Sequence, residues 1–479
     1  MKKALLLFCM AAGLISCAKD ILDNEKDNTQ KEGVPMTFNV TVLETKAAKT
    51  DWADGDKIYV FFNGLETKYL VLERSSGVWT NTSGGGTLLD TDFDGLGTKK
   101  LTAVHFPVAL DVAYADGKFS FTSGGKPLYN YYLYETGKDY TVDGTTVTAT
   151  LSMGKPANMV QFHVAGIQDN IADYTFGCSK IKPVACTSVG TDGAITESVL
   201  QAGARLSGVA DSDGAIFAGL LTTTGAANYK FTVASDANIY TLTRDDKTLT
   251  AGKMYNFPSL STTGGSNWAV TAASDLYVDL GFEVGGKKIY WAKCNVGAAN
   301  PENYGYYFAW GETTGEGKNY YPWSTYAWGS SKTALTKYCN NSSSGKDGFT
   351  DALTTLLPED DAAYADLGGK WRTPTDAEWT WLLDNNNCTW TWTSQSGVTG
   401  VLVTSKIAGY TSNTIFLPAA GFWHDAYATE VGSHGYYWSS SLDESQSANS
   451  LYLYFAYSNY KRLSGTRNCG LPVRPVYSE

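Results

Sequence analysis

Residues 435–476 read GYYWSSSLDESQSANSLYLYFAYSNYKRLSGTRNCGLPVRPV. The stretch mixes scaffold and decoration. Leu451, Leu453 and Phe455 alternate with Tyr452, Tyr454 and Ala456, the period of a strand with two unlike faces. Around that strand, 439–450 and 458–468 are mostly Ser, Asn, Tyr, Asp, Gln, Lys and Arg. Tyr offers a large, stiff contact area, and Ser and Asn offer adaptable hydrogen bonds. The alternation makes Trp438, Leu451, Leu453 and Phe455 the scaffold. Tyr452 and Tyr454, with Tyr457, Asn459, Tyr460 and Arg462 beyond them, are the candidate ligand-binding residues.

Upstream, Thr375-Asp-Ala-Glu378 has the capping-box pattern, followed by Trp379, Leu382 and Leu383 at helical spacing. A second short helix is expected over 358–367. Two helices among strands and long aromatic loops make an α+β inventory. Composition sets this part apart, because only Trp52, Trp79 and Trp268 of the 14 tryptophans precede residue 275. The Ser/Thr/Gly run at 259–266 marks the break, and 259–274 is expected to be a linker.

Before the break the chain reads as all-β. Alternating segments at 36–43, 57–62, 119–122, 145–151, 160–164, 229–233 and 239–243 are separated by turn residues. Many short strands with scarce helical periodicity predict a sandwich over 34–258. Asp90-Thr-Asp-Phe-Asp-Gly95 begins like a calcium loop, but position twelve is Leu101 where a bidentate Glu belongs. It reads as a solvated acidic turn, and no metal is expected.

The first residues form an address. Lys2 and Lys3 precede an apolar run, 4–15, too short to span a bilayer, which ends in Leu14-Ile15-Ser16-Cys17. The run resembles a bacterial lipoprotein signal, over 1–16, with cleavage before Cys17 and lipidation of its thiol. Residues 17–33 are polar and lack aromatics, as a disordered tether would. The resemblance implies a lipid anchor in the outer membrane, with the protein at the cell surface.

Two further resemblances cover the rest. Thr50-Asp-Trp-Ala-Asp-Gly-Asp-Lys-Ile-Tyr-Val60 and Thr250-Ala-Gly-Lys-Met-Tyr-Asn256 resemble the opening and closing of fimbrillin-like domains. That implies pilin subunits joined by strand addition at an open sheet edge, or a sandwich spacer that never polymerises. Across 275–479, six motifs stand in order: WAKCNVGA at 291–298, YGYYFAWGE at 304–312, GKWRTPT at 369–375, IFLPAAG at 415–421, GYYWSSS at 435–441 and VRPV at 473–476. This succession resembles the FISUMP (major paralogous) domain, a C-type-lectin-like fold. The fold class is therefore mainly β, an all-β sandwich followed by an α+β lectin-like domain.

Chemistry is sparse. The chain has no H-E-x-x-H, no G-x-S-x-G and no phosphate loop. His163 alternates with strand residues as a packed or rim histidine, and His424 adjoins Asp425. Cys388 and Cys469 admit the cysteine pair of sulfatase-modifying enzymes as a distant enzymatic alternative, but fold does not transfer activity. Lectin calcium motifs are missing, and Asn300-Pro301-Glu302 has their elements reversed. No cofactor is expected. The net charge of −11 argues against nucleic acid. Of eight cysteines, six remain beyond Cys9 and Cys17. Cys178 and Cys186 are spaced for a local bridge, Cys294, Cys339, Cys388 and Cys469 allow three pairings, and free buried thiols are the alternative. The reading is a non-enzymatic surface adhesin or pilus-associated protein that takes a protein or glycan ligand. The alternative is a structural pilus or envelope subunit. The polar run 443–468 also has the Asn/Ser/Tyr/Asp flavour of lectin-like termini diversified by mutagenesis at adenines.

Overall fold

The computed structural model describes residues 33–43, 52–123, 126–127, 132–167, 170–211, 213–260 and 268–479. The address segment and Cys17 lie outside the described residues, as do 261–267 of the expected linker. The described chain is mainly β.

Lys57–Phe62 is buried at five of its six positions, with no polar alternation. That is the signature of a strand covered on both faces. Phe61 meets Phe119 and Phe121, with ring centroids at 4.7 and 5.6 Å, while Phe62 meets Phe93 and Tyr140 at 5.0 and 5.1 Å. The strand belongs to a seven-stranded sheet in the order Thr37–Val42, Thr146–Leu151, Leu133–Asp143, Lys100–His105, Lys57–Phe62, Leu70–Ser75, Val78–Thr82. Thr37–Val42 runs parallel to its neighbour. The opposing sheet orders Ile195–Val199, Val184–Gly190, Lys118–Ser123 and Asp111–Ala115.

A second sandwich follows, where one was expected over the whole of 34–258. One of its sheets orders Ile181–Lys182, Gly214–Leu221, Met159–Ala165 and Met254–Phe257. The other orders Leu206–Ser207, Thr175–Gly177, Ala226–Ala234, Asn238–Thr248 and Ala269–Ala272. Phe162, Phe176, Phe217, Phe231 and Phe257 fill the space between them as a core separate from the first. The expected linker ends earlier than residue 274. Trp268 is buried in this core and donates Nε1–H to the Pro258 carbonyl at 2.9 Å, and 269–272 pair with the strand Asn238–Thr248. A tryptophan and a strand supply too much apolar and hydrogen-bonding surface to remain in a spacer.

The C-terminal region closes on itself. Its sheet orders Tyr277–Val284, Lys287–Ala292, Val476–Ser478 and Trp371–Arg372, so its first and last strands lie in one sheet. Both expected helices form. Pro358–Asp360 is a 3-10 turn and Ala362–Leu367 an α-helix, N-capped by Asp361, whose Oδ1 accepts from Ala363 and Tyr364 amides at 2.8 and 3.3 Å. In the helix Asp376–Leu383, Thr375 Oγ1 accepts the Glu378 amide at 3.3 Å, and Glu378 Oε2 accepts the Thr375 amide at 2.7 Å. Trp379 and Leu382 then enter a core with Trp291, Tyr437, Leu453 and Phe455. No helix among the described residues is long and apolar enough to cross a membrane.

The described cysteines do not pair. All six described cysteines are free, and five are buried. Cys178 belongs to the second sandwich core and Cys186 to the first, so the expected local bridge would have to cross between cores. Cys388 and Cys469 likewise sit in separate clusters. Burial pushes the Cys178 thiol up to about 11, and the Cys186 and Cys388 thiols up to about 12. The 90–95 turn is also committed. Asp90–Phe93 forms a short helix, Asp90 accepts the Val34 amide at 2.7 Å, and Asp92 takes Lys68 Nζ at 2.7 Å.

The second sandwich and the C-terminal region meet across a polar joint. Arg205 is buried. It donates Nε–H to the Tyr364 carbonyl at 3.0 Å, Nη2–H to Asp366 O at 2.7 Å and Nη1–H to Thr175 O at 3.3 Å. Two of these acceptors, Tyr364 O and Asp366 O, lie in the last turn of the helix Ala362–Leu367, where carbonyls outnumber helical donors; Tyr364 O also accepts the Gly368 amide at 2.8 Å. Gly368 follows with φ +66°, and a Cβ there would stand 2.6 Å from Ala234 Cβ. Gln201 adds bonds to Gly311 O at 2.7 Å and Asp360 Oδ1 at 3.0 Å.

Candidate binding face

The strands Gly435–Leu442, Asn449–Ala456 and Asn459–Thr466 form an antiparallel sheet. Its register decides which side chains share a face. Tyr436 stands opposite Tyr454, Trp438 opposite Tyr452, and Lys461 opposite Tyr454 on the far side. Leu453 and Phe455 point the other way and are fully buried, as expected for scaffold, and Leu451 is half-buried. Trp438 is also scaffold. It is buried and donates Nε1–H to the Phe308 carbonyl at 2.7 Å.

The outward face is a shelf of half-buried aromatic rings. Tyr436 lies 5.3 Å from Tyr454, 5.8 Å from Tyr452 and 4.7 Å from Phe422, centroid to centroid. His434 flanks Tyr454 at 5.7 Å, and Lys461 Nζ sits 5.4 Å from the Tyr454 ring centroid. Tyr436 donates its hydroxyl hydrogen to Glu430 Oε2, and burial together with that carboxylate holds the phenol far above its ordinary value. Tyr452 is pushed up to about 12, mainly by burial. At the base, Phe422, Tyr436, Trp438, Tyr452, Thr466 and Leu471 contribute to a crevice of 60 Å³. The Tyr436 and Tyr452 phenols therefore stay protonated across the ordinary pH range, and the shelf offers flat apolar area rimmed by hydroxyls and a cation.

The six residues singled out in the sequence do not share one face. Tyr452 and Tyr454 lie on the shelf. Tyr460 and Arg462 occupy the opposite face: Tyr460 packs on Trp390 at 5.1 Å, and Arg462 ion-pairs with Asp376 at the start of the helix Asp376–Leu383. Tyr457 and Asn459 are at the hairpin tip, where Tyr457 is 74% exposed. The reason is the pleat. Asn459, across from Ala456, sets the register, so 460 and 462 fall beside Phe455 and Leu453. His434, Tyr436, Phe422 and Lys461 escaped the sequence reading. Pairing 435–438 against 452–455 would have found Tyr436, because residues opposite one another share a face. In the aromatic loop 304–328, Trp310, Tyr321 and Tyr326 are buried, whereas Tyr320 is exposed.

No protein-family model and no curated protein matches the chain. Among solved structures, the chain is similar to a candidate cell adhesion protein from Bacteroides fragilis, at 12% identity over 50% of this chain and 97% of that one, with a TM-score of 0.27. It is also similar to a fimbrial protein from Bacteroides ovatus, at 10% identity over 93% of this chain and 99% of that one, TM-score 0.23. A third is the fimbrial anchor protein Mfa2 from Porphyromonas gingivalis, at 13% identity over 42% of this chain and 78% of that one, TM-score 0.21. TM-scores of this size lie below what a shared fold requires, and they carry no functional weight.

Proposed function

We propose that this chain is a non-enzymatic cell-surface lipoprotein of adhesin or pilus-associated type, lipidated at Cys17. Its β-sandwiches serve as base or joint, and its C-terminal region, read as C-type-lectin-like from its motif succession, binds a protein or glycan. The observation that carries the reading is the aromatic shelf of His434, Tyr436, Tyr452 and Tyr454. Clustered tyrosines, packed edge-on and tilted, that keep open ring area and hydroxyl edges suit the apolar faces and hydroxyls of sugars, or aromatic anchors of a protein. The separate locations of Cys388 and Cys469 weigh against the sulfatase-modifying alternative.

A glycan and protein array probed with the full chain tests the reading. Tyr454→Ala should weaken the binding it detects by about 2 kcal/mol while the fold survives. Tyr460→Ala, on the packed face, should leave binding near the parent's. If Tyr454→Ala binds like the parent, the shelf is not the site. If no ligand binds at all, a structural subunit is the better reading, and the joint around Arg205 favours it. Cys17→Ala should abolish lipid labelling and release the protein from membranes; retention after a salt wash would contradict the anchor.

A further inference from the structure

On the second sandwich, far along the chain from the aromatic shelf, three side chains converge without a role in that face. His163 lies on the strand Met159–Ala165, flanked by Phe162 and Val164, which point into the core. Asp211 and Asp213 come from the turn between the strands Val209–Ala210 and Gly214–Leu221. The turn is pressed onto the histidine strand. Gly166 donates its amide to the Asp213 carbonyl at 2.8 Å, and a Cβ on Gly214 would stand 2.1 Å from the Val164 carbonyl oxygen. Only glycine permits that approach.

His163 Nε2 lies 2.9 Å from Asp213 Oδ1 and 3.6 Å from Asp211 Oδ2. One ligand atom from each of the three residues falls within 4.8 Å of the others. The ring nitrogen is buried and makes no aligned hydrogen bond, although two carboxylates crowd it. Oxygens that are near but off the hydrogen-bond direction suit a shared third atom better than a proton. Metal bonds of about 2.0–2.2 Å put neighbouring ligand atoms about 3 Å apart in an octahedral shell and about 3.4 Å apart in a tetrahedral one. The observed separations bracket those values.

We propose that His163, Asp211 and Asp213 bind a first-row divalent transition metal. One imidazole with two carboxylates suits Zn²⁺, Co²⁺ or Mn²⁺, whereas calcium and magnesium take shells of oxygen. His163 is buried and the two aspartates are partly open to solvent, so the remaining coordination positions face water. The ion clips Asp211 and Asp213 to the strand that pairs with Met254–Phe257.

The test titrates Co²⁺, then Zn²⁺, into chelator-stripped full chain. One equivalent of Co²⁺ should give visible d–d absorption without a thiolate charge-transfer band, and Zn²⁺ should displace it. His163→Gln and Asp213→Asn should each weaken binding roughly tenfold or more. Zn²⁺ should raise the melting temperature of the parent but not of Asp213→Asn. His434→Gln should bind like the parent, which separates this site from the surface pair His434–Glu430. The proposal fails if the parent binds neither ion. It also fails if Asp213→Asn, an exposed substitution outside the core, binds as tightly as the parent.

Discussion

Arg467 and Arg474 are fully buried, and both come from the stretch 435–476. Arg467 donates to the Tyr338, Ser447 and Lys337 carbonyls at 2.7, 3.0 and 3.1 Å and to the Tyr326 hydroxyl at 2.9 Å, with its guanidinium 5.3 Å from the Trp310 ring centroid. Arg474 bonds Asn295 Oδ1 at 2.8 Å and the Ala292, Lys293 and Phe416 carbonyls. Each arginine ties together segments more than a hundred residues apart. Arg467→Met should cost about 3 kcal/mol or more, because it strands several buried carbonyls. Arg467→Lys should recover little, since an ammonium cannot span a planar fork of acceptors. Urea unfolding of both variants measures this, and a midpoint unchanged in Arg467→Met would refute it. The sequence placed Arg467 among the decorative residues of 458–468 and Arg474 within the VRPV motif at 473–476. Nothing local distinguishes an arginine that displays from one that staples, because the distinction lies in carbonyls contributed from elsewhere in the chain.

At the scale of elements, local signals were readable and pairings were not. The capping box at 375–378 and the alternation over 451–455 depend on neighbours in sequence, and both are present as read. Thr375→Ala should therefore cost about 1 kcal/mol in denaturant unfolding; no measurable loss would mean that the helix is held by Trp379 packing alone. The strands Val184–Gly190 and Gly214–Leu221 went unread because both are buried runs without a clean two-residue period. The candidate site was half legible for the same reason. Tyr452 and Tyr454 were found from one strand's alternation. Tyr436 and Lys461 needed the register of three strands, and Tyr460 and Arg462 were misplaced without it. Tyr460→Ala should accordingly lower stability by about 1–3 kcal/mol through lost contact with Trp390; an unchanged unfolding midpoint would restore Tyr460 to the candidate binding residues.

At the scale of the whole molecule, the sequence suggested beads on a linker, and the joint around Arg205 describes something firmer. Arg205, Gln201, Gly368 and the cluster of Ala234, Ile239, Tyr290, Trp371 and Tyr477 hold the second sandwich against the C-terminal region. Burial lowers the Arg205 guanidinium to about 10, a sign of how thoroughly the joint excludes water. Protease that cuts within 261–267, a run of small polar residues, should leave two pieces that still co-elute. Arg205→Ala should lower the urea concentration at which the pieces separate on a sizing column, with Trp268 and the strand Ala269–Ala272 still seated in the second sandwich. Separation of the nicked parent would show that the joint contributes little.

The strand Val476–Ser478 lies between Lys287–Ala292 and Trp371–Arg372, and Tyr477 donates its hydroxyl hydrogen to the Asp236 carbonyl, 241 residues away. That placement orders events in time. A ribosome or an export channel delivers the chain from its N-terminus, so both sandwiches can close while the C-terminal region still lacks an inner strand. The region can complete its sheet only after Ser478 emerges, and closing so long a loop is slow. A chain stalled a few residues short would carry finished sandwiches and an open, aromatic-rich remainder, the state most exposed to proteases and to neighbouring chains.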